Sequence, residues 1–74
     1  MQYNVAVVGA TGKVGSEIFN ILDETKFPVK DIYAVASSRS IGKQVAFGEE
    51  QLIDVESIDS FNFSKVDIAF FSAG

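Results

Sequence analysis

The chain has no cysteine and no histidine among its 74 residues. Disulfides are therefore excluded, and so are the thiolate and imidazole ligands of the usual zinc and haem sites. Positive charge is also scarce. Six Lys and Arg face ten Asp and Glu, for a net charge of −4. The cations (Lys13, Lys26, Lys30, Arg39, Lys43 and Lys65) are scattered singly along the chain. Such a balance excludes the basic face that a sequence-independent grip on nucleic acid requires. A long hydrophobic run is missing too. The amino-terminal MQYNVAVVG has no basic segment, and its apolar stretch is far shorter than a signal peptide or a membrane span. A cytoplasmic address is the expectation, in keeping with the lack of cysteine.

A hydrophobic content of 47% places the chain among globular rather than disordered sequences. Its length allows one small domain. A chain of about 60 residues buries only about 60% of its unfolded surface, so a unit of this size folds near the lower limit of independent stability. Disulfides or a metal commonly make up that shortfall, and neither is at hand here.

Residues 3–8 (YNVAVV) form a nearly continuous apolar run, the pattern of a strand buried on both faces of a parallel sheet. From Lys13 to Glu24 the period changes to that of a helix. Val14, Ile18, Ile21 and Leu22 fall on one predicted face. Thr11 stands just ahead as an N-cap or turn residue, and Pro28 bars the helix from continuing. Asp31–Ala36 (DIYAVA) reads as the next strand. Strand, glycine turn, helix and strand together make a right-handed βαβ unit. Gln44–Phe47 and Gln51–Val55 read as a hairpin around Gly48-Glu49-Glu50, and residues 57–64 hold a helical turn beginning near Ser57, anchored by Phe61 and Phe63. Val66–Phe71 (VDIAFF) is a third long buried strand. No helix follows it to cover its second face, so Phe63, Phe70 and Phe71 would be left exposed together. The expected fold class is α/β, a Rossmann-type parallel sheet with a βαβ unit, present as an incomplete amino-terminal fragment. An isolated piece of that kind should be unstable, oligomeric or domain-swapped.

Between the first strand and the helix lies GATGKVG, with glycines at positions 9, 12 and 15. A strand entering a helix through such a turn aims unpaired backbone N–H groups and the positive end of the helix dipole at one point, where phosphate binds. Gly9 would make the turn, Gly12 would admit a pyrophosphate, and Gly15 would let the helix pack on the strand. The spacing is not that of a Walker A loop, and Val14 follows Lys13 where a magnesium-binding hydroxyl would stand. A tight connection with no ligand is the competing reading. The position of the motif, after a buried strand and before an amphipathic helix, favours a dinucleotide. Sites selective for NAD carry an acidic residue about 20 residues further on, bonded to the ribose 2′-hydroxyl. Here Ser37-Ser38-Arg39-Ser40 occupies that place. A guanidinium pairs with a 2′-phosphate and serine hydroxyls donate to it, so NADP is the expected cofactor.

GATGKVG, then ASSRSIGK at 36–43 and VDIAFFSAG at 66–74, resembles the start of the aspartate-semialdehyde dehydrogenases along essentially the whole chain. The most specific piece is Ser37–Lys43, supported by the FSAG ending at Phe71–Gly74. The resemblance implies the amino-terminal part of an NADP-binding domain at residues 1–74, with a second, catalytic and dimer-forming domain absent. It implies NADPH-dependent conversion of aspartyl phosphate to aspartate semialdehyde, an early step towards lysine, methionine and threonine, by a homodimer. Carried over by position, Gly9, Thr11, Gly12, Lys13 and Val14 would meet the pyrophosphate and adjacent ribose. Ser37, Arg39 and Ser40 would hold the 2′-phosphate, while Ser72 and Gly74 would flank the path to the nicotinamide. Lys13 departs from the family, in which a small residue is common there. The family's cysteine nucleophile, histidine acid/base and substrate arginines lie outside these residues, so no catalytic residue is expected among them. Two related readings stay open: an atypical short-chain dehydrogenase of the NmrA type, and an N-acetyl-glutamyl-phosphate reductase. The latter tend to carry Ser and Tyr where this chain has Thr11 and Lys13. A structural module with an empty glycine turn is the third.

Overall fold

A computed structural model describes residues 1–49 and 51–72. Its elements run β1 (Tyr3–Val8), α1 (Lys13–Glu24), β2 (Val29–Ala36), β3 (Gln44–Phe47), β4 (Gln51–Ser57) and β5 (Ile68–Phe71), with 3-10 turns at Ser38–Ser40 and Phe63–Lys65. The strands form one sheet in the order β3-β4-β2-β1-β5. β1 lies parallel to β2 on one side and to β5 on the other, β4 is parallel to β2, and β3 pairs antiparallel with β4. This is the Rossmann-type α/β arrangement that the βαβ pattern predicts.

The apolar run of β1 follows from its place. As a strand flanked on both sides, it buries Val5, Ala6, Val7 and Val8. Its odd and even residues serve two cores. Val5 and Val7 join Phe19, Leu22, Ile32, Ile53 and Val55 under α1. Ala6 and Val8 join Val35 and Phe61 on the opposite face. Phe61 packs edge-on to Phe63, and the Lys65 ammonium lies 4.5 Å from the centre of the Tyr33 ring.

The buried face of the helix is shifted from the one its apolar spacing suggests. Leu22 is buried and Ile18 packs against the core as expected, joined by Gly15 and Phe19, whereas Val14 and Ile21 are 49% and 57% exposed. Phe19 wins the core because its ring reaches over the sheet to Phe47 of β3, at 6.2 Å between centroids. Ile18 and Ile21 instead border an apolar groove towards β5, with Phe27 and Phe70. α1 ends at Glu24, ahead of Pro28. The Phe27 N–H donates to the Leu22 carbonyl and the Lys26 N–H to that of Asp23, with Lys26 in the left-handed region at φ 52°.

Three other boundaries differ from expectation. β2 begins two residues early, at Val29, because the Tyr3 N–H donates to the Pro28 carbonyl and Val29 lies opposite Tyr3. β4 runs on to Ser57, since residues 55–57 pair with β2 beyond the 51–54 segment that pairs with β3 in the hairpin. Ser57 closes the strand and also opens the expected turn, its carbonyl accepting from the Ser60 and Phe61 N–H groups, and a further 3-10 turn at Phe63–Lys65 shortens the last strand to Ile68–Phe71. Glu50 of the expected hairpin turn lies outside the described residues. Phe71 is 68% exposed and stacks on Phe63. Among the described residues no helix is long and apolar enough to cross a membrane.

Candidate functional site

In register, Val8 stands opposite both Val35 and Phe71, and Ala36 stands opposite Ser57. The carboxyl ends of β1, β2, β4 and β5 therefore share one edge of the sheet. The chain leaves β1 for β2 on one side and later returns to pair β5 on the other, so strand order reverses beside β1. Open α/β sheets bind their ligands in the crevice outside such a reversal.

A cleft of about 440 Å³ occupies that crevice. Gly9, Thr11 and Gly12 from the glycine turn, Ser37 after β2 and Ser72 after β5 line it. Five of the residues expected from the sequence are thus brought to one cavity. Val8, Ala36 and Ile58 complete its wall. Ile58 had no signal in the sequence. It arrives because β4 joins β2 in parallel, and its N–H donates to the Ala36 carbonyl at 2.8 Å.

The glycine turn is held by short backbone bonds. The Gly9 and Ala10 N–H groups both donate to the Val35 carbonyl, at 2.8 and 3.1 Å, and Gly12 N–H closes onto the Gly9 carbonyl at 3.1 Å. Gly9 has φ 85°, a conformation that only glycine adopts at no steric cost. A Cβ at Gly15 would run into the Gly9 carbonyl and Ala10 Cα, so its role is close packing of helix on turn. Gly12 differs from both. Its φ is −82°, and a Cβ would find only the Gly9 carbonyl oxygen, at 3.4 Å. Nothing within the protein requires a glycine there, and the space a side chain would fill opens beside the cleft.

Gly12 is the N-cap of α1, and no side chain caps it; the first turn carries no acidic residue. The N–H groups of Lys13 and Val14 therefore have no side-chain acceptor, and the helix dipole faces the same end. Lys13 and Val14 themselves are exposed. This end of the helix would take an anionic group from solvent.

After β2 the chain turns through Ser38–Ser40. Ser37, Ser38 and Arg39 are exposed, whereas Ser40 is buried at 8% exposure. The Ser40 hydroxyl lies 3.3 Å from that of Thr11, which ties this turn to the glycine turn. Arg39 forms no ion pair with a carboxylate among the described residues. On the other flank, the Ser72 N–H donates to the Val8 carbonyl and its hydroxyl to the Gly9 carbonyl. Gly74 lies outside the described residues.

A family model described as semialdehyde dehydrogenase, NAD binding domain, matches residues 4–74. The aspartate-semialdehyde dehydrogenase of Rickettsia bellii is 59% identical over 73 residues, 99% of this chain and 21% of its own length. That of Legionella pneumophila is 55% identical over 71 residues, 96% of this chain and 20% of its own. Among solved structures, aspartate semialdehyde dehydrogenase II of Vibrio cholerae, complexed with ASA, superimposes with a TM-score of 0.92 at 43% identity, covering 100% of this chain and 24% of that one. The chain spans about a fifth of the length of the curated relatives it matches.

Proposed function

The chain belongs to the semialdehyde dehydrogenase NAD-binding domain family, and from that premise we propose that it is the NADPH-binding part of an aspartate-semialdehyde dehydrogenase. The whole enzyme would reduce L-aspartyl 4-phosphate to aspartate semialdehyde in the cytoplasm, as a homodimer whose catalytic and dimer-forming domain lies outside residues 1–74. These residues contain no thiol and no imidazole, so their contribution is to bind and aim the cofactor.

The observation that carries this reading is the cleft at the strand-order reversal, where the glycine turn, the start of the Ser37–Ser40 segment and Ser72 meet. The residues fit a dinucleotide. The open space beside Gly12 and the uncapped first turn of α1 suit a pyrophosphate, received by the N–H groups of Lys13 and Val14 and by the Thr11 hydroxyl. Arg39, exposed at the end of β2, would pair with a 2′-phosphate with help from Ser37, and no carboxylate occupies Ser37–Ser40 to repel it. Ser72 and Gly74, beyond β5, would flank the nicotinamide side. When bound, the cofactor supplies the hydride. The chain's own groups would hold its anionic half.

The test is a chimera. This chain would replace the matching segment of the Rickettsia bellii relative, with NADPH-dependent reduction of aspartyl phosphate as the readout. Turnover with NADPH is the expected result. A folded chimera that neither binds NADPH nor turns over would overturn the proposal.

A further inference from the structure

The chain has a net charge of −4, yet half of its cations gather where carboxylates are missing. Residues 9–16 and 37–48 hold Lys13, Arg39 and Lys43, three of the six Lys and Arg, and contain no Asp or Glu. The two segments leave the carboxyl ends of β1 and β2, so the fold sets these charges around one edge of the sheet. Against them stand Glu17, a turn into α1, Asp59, just past β4, and Glu56, which is already paired with Lys65 at 3.9 Å.

Lys13 and Arg39 have places in the dinucleotide reading, and Lys43 has none. It is exposed and forms no ion pair among the described residues. Its backbone is fixed all the same. Gly42 turns the chain at φ 95°, the Lys43 N–H donates to the Ser40 carbonyl at 3.1 Å, and the Lys43 carbonyl accepts from Val55 at 3.0 Å. Lys43 lines a cavity of about 300 Å³ between α1 and β3, which adjoins the cleft at Thr11. It is thus held beside the cleft and outside it. From there a charge acts through its field, over a Debye length of about 8–10 Å at about 0.1–0.15 M salt and about 30 Å at about 0.01 M.

Resting on the dinucleotide reading above, we propose that Lys43 is a steering residue. With Lys13 and Arg39 it makes a positive edge on an anionic chain. It raises the rate at which the cofactor's phosphates reach the cleft and takes no part in holding them. The 2′-phosphate adds up to about two negative charges, so the pull on NADPH is about twice that on NADH. Steering itself then favours the phosphorylated cofactor.

Stopped-flow fluorescence of the full chain with NADPH and NADH reads association and dissociation rates apart. At about 0.01 M salt, Lys43→Gln should slow NADPH association about 3-fold and NADH association about 2-fold, with dissociation unchanged. Lys43→Glu changes the charge by two and should slow NADPH about 10-fold, while Lys43→Arg should restore the wild-type rate. At about 1 M salt, where the Debye length is about 3 Å, the differences should vanish. Lys30→Gln removes the same charge at the amino end of β2 and should slow association by about 1.3-fold at most. Faster dissociation in Lys43→Gln would mean that the ammonium holds the cofactor directly, and would overturn the inference. So would an equal loss in Lys30→Gln, which makes net charge rather than its layout the cause. A loss that survives high salt would overturn it as well. A wild-type chain that binds neither cofactor is a separate outcome, which overturns the dinucleotide reading and this inference with it.

Discussion

Ser72 and Gly9 stand 63 residues apart in sequence and share a hydrogen bond, the serine hydroxyl donating to the glycine carbonyl at 3.2 Å. A second bond, from the Ser72 N–H to the Val8 carbonyl at 3.0 Å, extends the pairing of β5 with β1 by one step. The glycine turn is therefore braced from both neighbours. β2 holds it through the Val35 carbonyl and the end of β5 holds it through Ser72. A side chain at Gly9 would run into the Ser72 hydroxyl while being forced to keep φ 85°.

Gly9→Ala should lower stability by about 2 kcal/mol or more, the sum of left-handed strain and overpacking. Adding Ser72→Ala should return part of that loss, because it relieves the collision and leaves the strain. Urea denaturation of the two variants checks it. Full recovery in the double variant would show that the backbone is not strained.

Gly15 and Gly12 should separate folding from binding. Gly15→Ala pushes a methyl into the Gly9 carbonyl and Ala10 Cα, and should cost about 1–3 kcal/mol of stability. Gly12→Ala meets only one oxygen at 3.4 Å with an ordinary φ, so stability should change by about 0.5 kcal/mol or less. On the proposed reading, NADPH affinity should nonetheless fall about 10-fold or more in Gly12→Ala, as the methyl would displace the pyrophosphate. Unchanged affinity in a folded Gly12→Ala protein would argue against that use of the space.

On the NADPH reading proposed above, Arg39→Asp should weaken NADPH binding by about 100-fold and NADH binding by about 3-fold at most, since the lost group would be a charge-assisted bond to the 2′-phosphate. Fluorescence titration with the two cofactors reads the ratio. Equal losses would remove the 2′-phosphate from Arg39.

Lys26→Gly should stabilise the protein by about 1 kcal/mol. Lys26 closes α1 at φ 52°, where a Cβ is penalised and glycine is not. The gain is smaller than the full strain because glycine also loosens the unfolded chain. A thermal melt that moved downward would mean the lysine side chain holds the helix end by other contacts.

The local patterns of the chain determined the βαβ unit and the glycine turn. Strand and helix periods are written within six to twelve consecutive residues, and the need for glycine at a strand-to-helix turn is a property of the backbone. The same local reading could not choose among neighbours distant in the chain. Apolar spacing proposed Val14, Ile18, Ile21 and Leu22 for the buried face; Leu22 is buried and Ile18 packs on the core, but Val14 and Ile21 stay exposed and Phe19 enters the core because β3 lies within reach of its ring. The hairpin was legible, whereas the parallel pairing of β4 with β2, which carries Ile58 to the cleft, was not. Ser40 looked like its neighbouring serines until the fold buried it against Thr11. Which side chain is covered and which hydroxyl finds a partner depend on contacts across the sheet. Those are set by register and strand order, and the tertiary structure alone decides them.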